Sequence, residues 1–281
     1  MAKGKQGTEK EMTFWEHLEE LRWHLLRAVG AVVILAIVAF ISKDFIFDQI
    51  ILAPKSADFV TNRWLCLAGK WLAERLPFFS ASALCIGDFD LKIININLAG
   101  QFLMHFYISI FAGLIVAIPF VIWEIWSFIK PALYENEQKY TGGAVVWSSL
   151  LFIAGILFSY FLIVPLSILF LGTYTVSDSV QNQIALNSYV STVVMLTFSI
   201  GLVFELPIFV YFLTKVGIIT PSFMRRNRKM MIVIVLIVSA IITPPDIFSQ
   251  ILVAIPLFAL YELSILVSDR IHKKQTREIP G

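Results

Sequence analysis

Four ionisable side chains near the start of the chain, His17, Glu20, His24 and Arg27, recur at steps of three and four residues, which puts them on one face of a helix. The run around them, TFWEHLEELRWHLLR, opens with Thr13 and Glu16 in capping-box spacing, so a helix is expected to begin there. Carboxylate and cation on one face could grip a charged ligand, but by periodicity alone a solvated, charge-laced helix end is the simpler reading. A metal site has poor support, because the spacing is not His-Glu-x-x-His and no other ligand cluster stands out. A second acidic group, Glu135 and Glu137, follows in SFIKPALYENEQKY, where Pro131 should end a helix by pushing residue 130 out of helical geometry. Carboxylates at this point suit guanidinium groups, with which they form bidentate, charge-assisted pairs; the alternative is an ordinary polar loop.

A different chemistry is implied where a carboxyl interrupts an apolar run. Glu205, in FELP, lies inside such a run. An ionised group at the centre of a bilayer costs roughly 2.5–3.5 kcal/mol on insertion scales unless it meets a polar partner. Glu205 is therefore a functional candidate expected to line a groove, and Pro207 beside it could kink the helix. His105 and Glu124 in an earlier run, and Gln250 and Glu262 in a later one, are weaker candidates. For Glu124 and Glu262, near the ends of their runs, snorkelling towards the interface is sufficient explanation. The sequence has no G-x-S-x-G, no His-Glu-x-x-His and no P-loop, so hydrolysis and nucleotide use lack a visible apparatus. The chain is not read as an enzyme, and no cofactor is expected.

The elements that must carry these residues are set by the solvent. Of 281 residues, 58% are hydrophobic and 15% charged, and the apolar residues gather into runs of the length a bilayer requires, about 20 residues per helix. Six crossings are expected: 25–42, 102–128, 144–171, 189–213, 231–243 and 247–267. The fifth is about 20 Å long at 1.5 Å per residue, against roughly 30 Å of hydrocarbon. The sixth meets Pro256 and Glu262 early, so the last two read as short helices that would thin the adjacent bilayer. Pro244, Pro245 and Asp246 leave room only for a tight turn between them. Sixteen Lys and Arg fall on one side of this arrangement and six on the other, all six within 43–101. The bias places both termini in the cytoplasm. The expected fold is thus an all-α polytopic membrane protein with a cytoplasmic arm (1–24), a membrane domain (25–267) containing a long outer loop (43–101), and a cytoplasmic tail (268–281). A cleaved signal peptide is not expected, since the first twenty residues are polar and carry Lys3, Lys5 and Lys10. A net charge of +2 supplies no basic field for nucleic acid.

Within the outer loop, Trp64, Leu65, Ala68, Trp71, Leu72 and Leu76 recur at helical spacing, with Lys70, Glu74 and Arg75 between them, the pattern of an amphipathic helix at the membrane surface. Residues Phe89 to Leu98 alternate apolar and polar with one slip at Ile94, which reads as a short strand or extended cap. The two cysteines, Cys66 and Cys85, both lie in this loop and could form a disulfide on an oxidising side or remain two thiols.

HLEELR at His17–Arg22, AP at Ala53–Pro54, FIKPALYENE at Phe128–Glu137, FELP at Phe204–Pro207 and TPPDIFSQ at Thr243–Gln250, in this order within a six-crossing chain, resemble the signatures of the TatC family. The resemblance covers nearly everything except the long outer loop. It implies a receptor for twin-arginine signal peptides, driven by the proton-motive force in the bacterial inner membrane. It also implies TatA-like and TatB-like single-span partners and self-association. It assigns Glu20 and Glu137 to the arginine pair, with Arg22 in the same motif and with Phe128 and Pro131 shaping the loop. Glu205 matches the family's intramembrane glutamate, Pro54 its outer-cap proline, and Gln250 a polar residue associated with small partner subunits. Glu124 stands where glutamine is more usual, adding a carboxylate near the signal-binding side. The competing reading is a secondary transporter of a small solute with Glu205 as its intramembrane carboxylate, although no internal repeat relates the two halves.

Overall fold

The computed structural model describes residues 14–56, 58–75, 91–130, 141–177, 179, 182–244 and 246–278, apart from the side chains of 14, 16, 17, 72, 141 and 274–278. Helices dominate, as the absence of water around the backbone in a bilayer requires. Helix α1 (Phe14–Ile41) is followed by a π-helical segment, Phe45–Ile51, and a 3-10 turn at Ala53–Lys55. Helix α2 (Val60–Arg75) is the amphipathic helix read from the sequence; Trp64 and Trp71 are exposed and Asn62 is buried. Strand β1 (Ile93–Ile94) precedes α3 (Gly100–Ile129). The third crossing is one continuous path of three pieces: α4 (Thr141–Phe158), a π-helical turn (Ser159–Ile163) and α5 (Val164–Thr173). Strand β2 (Ile184–Ala185) leads into α6 (Leu186–Val203) and α7 (Leu206–Lys215). A short α8 (Pro221–Arg226), α9 (Arg228–Ile242) and α10 (Ile247–Glu278) complete the chain.

Five stretches among the described residues are long and apolar enough to cross a bilayer, namely 18–41, 100–129, 142–173, 186–215 and 247–273. The sixth expected crossing is α9, whose 15 residues rise only about 22 Å. Only this first member of the terminal pair is short. Helix α10 continues for 32 residues straight through Pro256 and Glu262, contrary to the sequence reading of two short helices. Glu262, a good helix former, does not interrupt the helix, and Arg228 of α9 donates to it at 2.7 Å. Between the two helices Asp246 accepts from the backbone N–H of Ser249 at 2.6 Å, so this turn residue also caps α10.

The expected strand over 89–98 contracts to β1, which pairs in parallel with β2, Ile93 opposite Ile184 and Ile94 opposite Ala185. The partner lies about ninety residues away, and two residues are too few to show a period in sequence. This ladder and α2 form a cap at one end of the bundle. Tyrosines hold the π-helical segment beneath it: Tyr160 donates to the Ile50 carbonyl at 2.8 Å and Tyr189 to the Ile51 carbonyl at 2.9 Å. Asn62 donates to the carbonyls of Pro54 and Ser56 at 2.9 and 2.7 Å, so Pro54 sits in a fixed turn. Below the cap the main core joins Ile163, Val164, Val190, Val193, Leu196, Val253 and Leu257.

Close helix approach is made by small residues, as expected where lipid competes with every apolar contact. A Cβ on Gly113 of α3 would lie 2.4 Å from the backbone nitrogen of Ala36 in α1. One on Gly155 of α4 would meet the Phe204 ring at 2.7 Å and Gly201 Cα at 2.9 Å, and one on Gly201 would meet Ile156 at 2.8 Å. These two contacts fix the α1–α3 and α4–α6 crossings, and each crossing positions one acidic side chain.

Candidate functional site

Ser148, Phe152 and Gly155 lie on one face of α4 by their spacing of four and three, while Glu205 follows Gly201 by four. The glycine crossing therefore sets Ser148 opposite Glu205, and the Ser148 hydroxyl donates to Glu205 Oε2. Glu205 is 7% exposed and stands in the break between α6 and α7, at the N-cap position of α7. Its carbonyl accepts from the N–H groups of Ile208 and Phe209 at 3.0 and 3.1 Å. Pro207 falls in the first turn of α7; its missing N–H cannot bond the carbonyl of Val203, four residues back, where α6 ends, so the crossing breaks at 204–205 as expected. Glu205 Oε1 is buried without a hydrogen bond. Glu205 lines a cavity of about 440 Å³ together with Trp126, Phe152, Phe209 and Phe212, with the Trp126 and Phe212 rings 3.9 Å apart. The groove expected around Glu205 is present, and its walls are apolar. One carboxylate oxygen without a partner in such a place can accept a hydrogen bond from a polar group entering from the membrane.

The second acidic centre lies at the end of the bundle remote from the cap, between α1 and α3. Glu124 is 1% exposed. His24 Nδ1 donates to its Oε2, and Arg27 approaches the same oxygen at 3.6 Å. Glu124 thus does not snorkel: the adjacent helix brings two basic groups to it, and this neutralisation permits burial. The His24 ring also meets the edge of Phe128 at 6.1 Å. Glu20, one turn before His24, is half-buried, and its Oε2 is buried without a hydrogen bond. The face read as solvated is thereby split, since the His24 side chain is 13% exposed and Arg27 54%. Arg22 is exposed. Helix α3 is described to Ile129, and Lys130 keeps helical angles, φ −52° and ψ −44°, so residue 130 is not pushed out of helical geometry as expected. Pro131, Glu135 and Glu137, like Thr13 and the His17 and Glu16 side chains, lie outside the described residues.

Gln250 of α10 donates to the Leu236 carbonyl of α9 at 3.0 Å, bracing the terminal hairpin. Pro244 belongs to its turn, and Pro245 lies outside the described residues. Cys66 is disulfide-bonded, and Cys85 lies outside the described residues. His105 donates to the Phe40 carbonyl at 2.9 Å and stacks on the Phe40 ring at 3.9 Å, a second polar tie between α1 and α3. Sequence reasoning did not find Ser148, because a lone serine in an apolar helix carries no periodic signal. Nor did it find the pairing of His24 with Glu124, one hundred residues apart, although both residues were singled out separately.

Fold and site together define a multi-pass helical membrane protein whose acidic groups are held at helix crossings. The family profile described as "Sec-independent protein translocase protein (TatC)" matches residues 16–256. The Sec-independent protein translocase protein TatC of Blattabacterium sp. subsp. Periplaneta americana is 39% identical over 270 residues, 96% of this chain and 100% of that one. TatCy of Bacillus subtilis is 31% identical, over 94% and 91% of the two chains. A crystal structure of the twin arginine translocase receptor TatC superposes with a TM-score of 0.71 at 31% identity, covering 92% of this chain and 100% of that one. The chain belongs to the TatC family and is a protein translocase component.

Proposed function

We propose that this protein is the receptor subunit of a twin-arginine translocase, which binds twin-arginine signal peptides on the cytoplasmic side and nucleates passage of folded proteins, driven by the proton-motive force. The observation that carries this reading is Glu20: the residue remains partly exposed and its Oε2 has no hydrogen-bond partner, at the same end of the α1–α3 pair as the C-terminus of α3, which Glu137 follows in sequence. An unpartnered carboxylate oxygen gains most from a donor that is planar, bidentate and always charged, which is the arginine side chain. Glu20 and Glu137 take the arginine pair, with Arg22, Phe128 and Pro131 shaping the surroundings. The similarity to a solved twin arginine translocase receptor supports the same assignment. Glu205 and Gln250 serve later, as polar contacts for TatA-like and TatB-like single-span helices in the bacterial inner membrane. Both termini and the 130–140 loop face the cytoplasm, and the cap faces the oxidising side, where Cys66 pairs with Cys85. A labelled twin-arginine peptide tests the grip: Glu20→Gln and Glu137→Gln each weaken its binding to the folded, inserted protein. Unchanged peptide crosslinking in the double variant removes the proposed site.

A further inference from the structure

Helix α1 is the least embedded of the long crossings: 11% of its membrane window is buried, against 33–50% for the other four. It packs chiefly along a single neighbour, α3, and it carries Glu20. Besides the apolar packing that runs along α3, polar or close-backbone ties join the two helices at three levels. Near the cap, His105 bonds the Phe40 carbonyl; at mid-membrane, Gly113 admits the Ala36 backbone; and at the far end, Glu124 takes His24 and Arg27. Only the last lies within a turn of Glu20.

We infer that the His24–Glu124 pair, with Arg27 beside it, is a positioning device for Glu20: it fixes the first turns of α1 against α3 so that the Glu20 carboxylate meets the signal arginine in one place. This rests on the proposed arginine grip. Glu124 is not itself a ligand of the peptide, because at 1% exposure it cannot be reached by a guanidinium unless α1 leaves α3. Its hold on α1 is direct. His24 Nδ1–H donates to Oε2, and the same imidazole packs against Phe128, one turn beyond Glu124 on α3. Two consecutive turns of α3 are thus joined to one side chain, and Glu20 follows rigidly because it stands one turn away on the same helix. The contact is a hydrogen bond, so a neutral acceptor of the same shape sustains it, whereas a methyl group does not.

The test uses the full chain in lipid nanodiscs, with a fluorescent twin-arginine peptide and hydrogen exchange of the α1 amides read in parallel. Glu124→Ala is expected to weaken peptide binding about tenfold, which corresponds to about 1.4 kcal/mol, and to speed exchange over 18–27. Glu124→Gln keeps an oxygen for His24 and is expected to stay within about twofold in affinity, with exchange as in the parent. His24→Ala should match Glu124→Ala, and the double variant should be no worse than either, since both remove one contact. Normal affinity in Glu124→Ala, or faster exchange without loss of affinity, overturns the positioning role. Equal loss in Glu124→Gln and Glu124→Ala with unchanged exchange also overturns it, because Glu124 would then bind the peptide through its charge. Glu20→Gln is measured alongside: if it binds normally the grip itself fails, whereas a normal Glu124→Ala beside a weakened Glu20→Gln leaves the grip intact and removes this inference alone.

Discussion

Glu205 and Glu124 are both carboxyls buried in an apolar bundle, and their partners separate their roles. Glu124 is met by an imidazole and a guanidinium, while Glu205 has one hydroxyl and a cavity. Removing the first leaves basic groups without their acceptor, but removing the second leaves only Ser148 short of a bond. Interhelical hydrogen bonds in membranes average about 0.6 kcal/mol, so Glu205→Ala and Ser148→Ala should each lower the melting temperature by little. Glu205→Ala is expected to bind twin-arginine peptide normally and to lose most export in vesicles carrying the partner subunits. Glu205→Gln, which still offers a polar group to an entering helix, should retain several-fold more export. If both variants instead express poorly and melt early, Glu205 is a structural group, and a stable Glu205→Ala protein with normal export removes its role in transport.

At the scale of helices, glycines decide which side chains meet. Gly113→Leu would drive a side chain into the Ala36 backbone, and Gly201→Leu into Ile156 and Phe152; overpacking of this kind costs about 1–3 kcal/mol or more where backbone must move. The two should differ in what they disturb. Gly113→Leu loosens the α1–α3 pair and is expected to reduce peptide binding, while Gly201→Leu separates Ser148 from Glu205 and should reduce export first. Gly30 of α1 has nothing within 4 Å of an added Cβ, so Gly30→Ala should leave binding and melting unchanged or slightly improved. Melting in detergent, peptide titration and vesicle export on the three variants check these outcomes. The glycine and alanine positions involved look alike in the sequence, since a small residue in an apolar run shows neither its neighbour nor its distance.

The described residues form a bundle with a cap at one end and with Glu20 and the His24–Glu124 pair near the other. Helix α9 reaches about 22 Å in a membrane whose hydrocarbon is about 30 Å thick, and a mismatch of this size costs fractions of a kcal/mol per Å. Export by the reconstituted system should therefore be higher in lipids of shorter acyl chain than in longer ones, and equal export across the series would show that α9 imposes no thinning. At the cap, Cys66 should resist a maleimide until reductant is added, after which two thiols label; labelling without reductant contradicts the bond. The sequence by itself determined the all-helical membrane class, the approximate course of the crossings, the amphipathic α2 and the carboxyls that interrupt apolar runs, because hydropathy, helical period and turn chemistry are local properties of the chain. It also placed Glu205 in a groove, since a mid-membrane carboxyl has few other places to go. Only the tertiary structure decided that Glu124 is buried against His24, that Glu262 is paired with Arg228, and that Ile93 and Ile94 find their ladder partner at Ile184 and Ala185. Each of these depends on a contact between residues 34 to 100 positions apart, where the free energy of a polar group is set by the partner across the interface and no neighbour in sequence reports it.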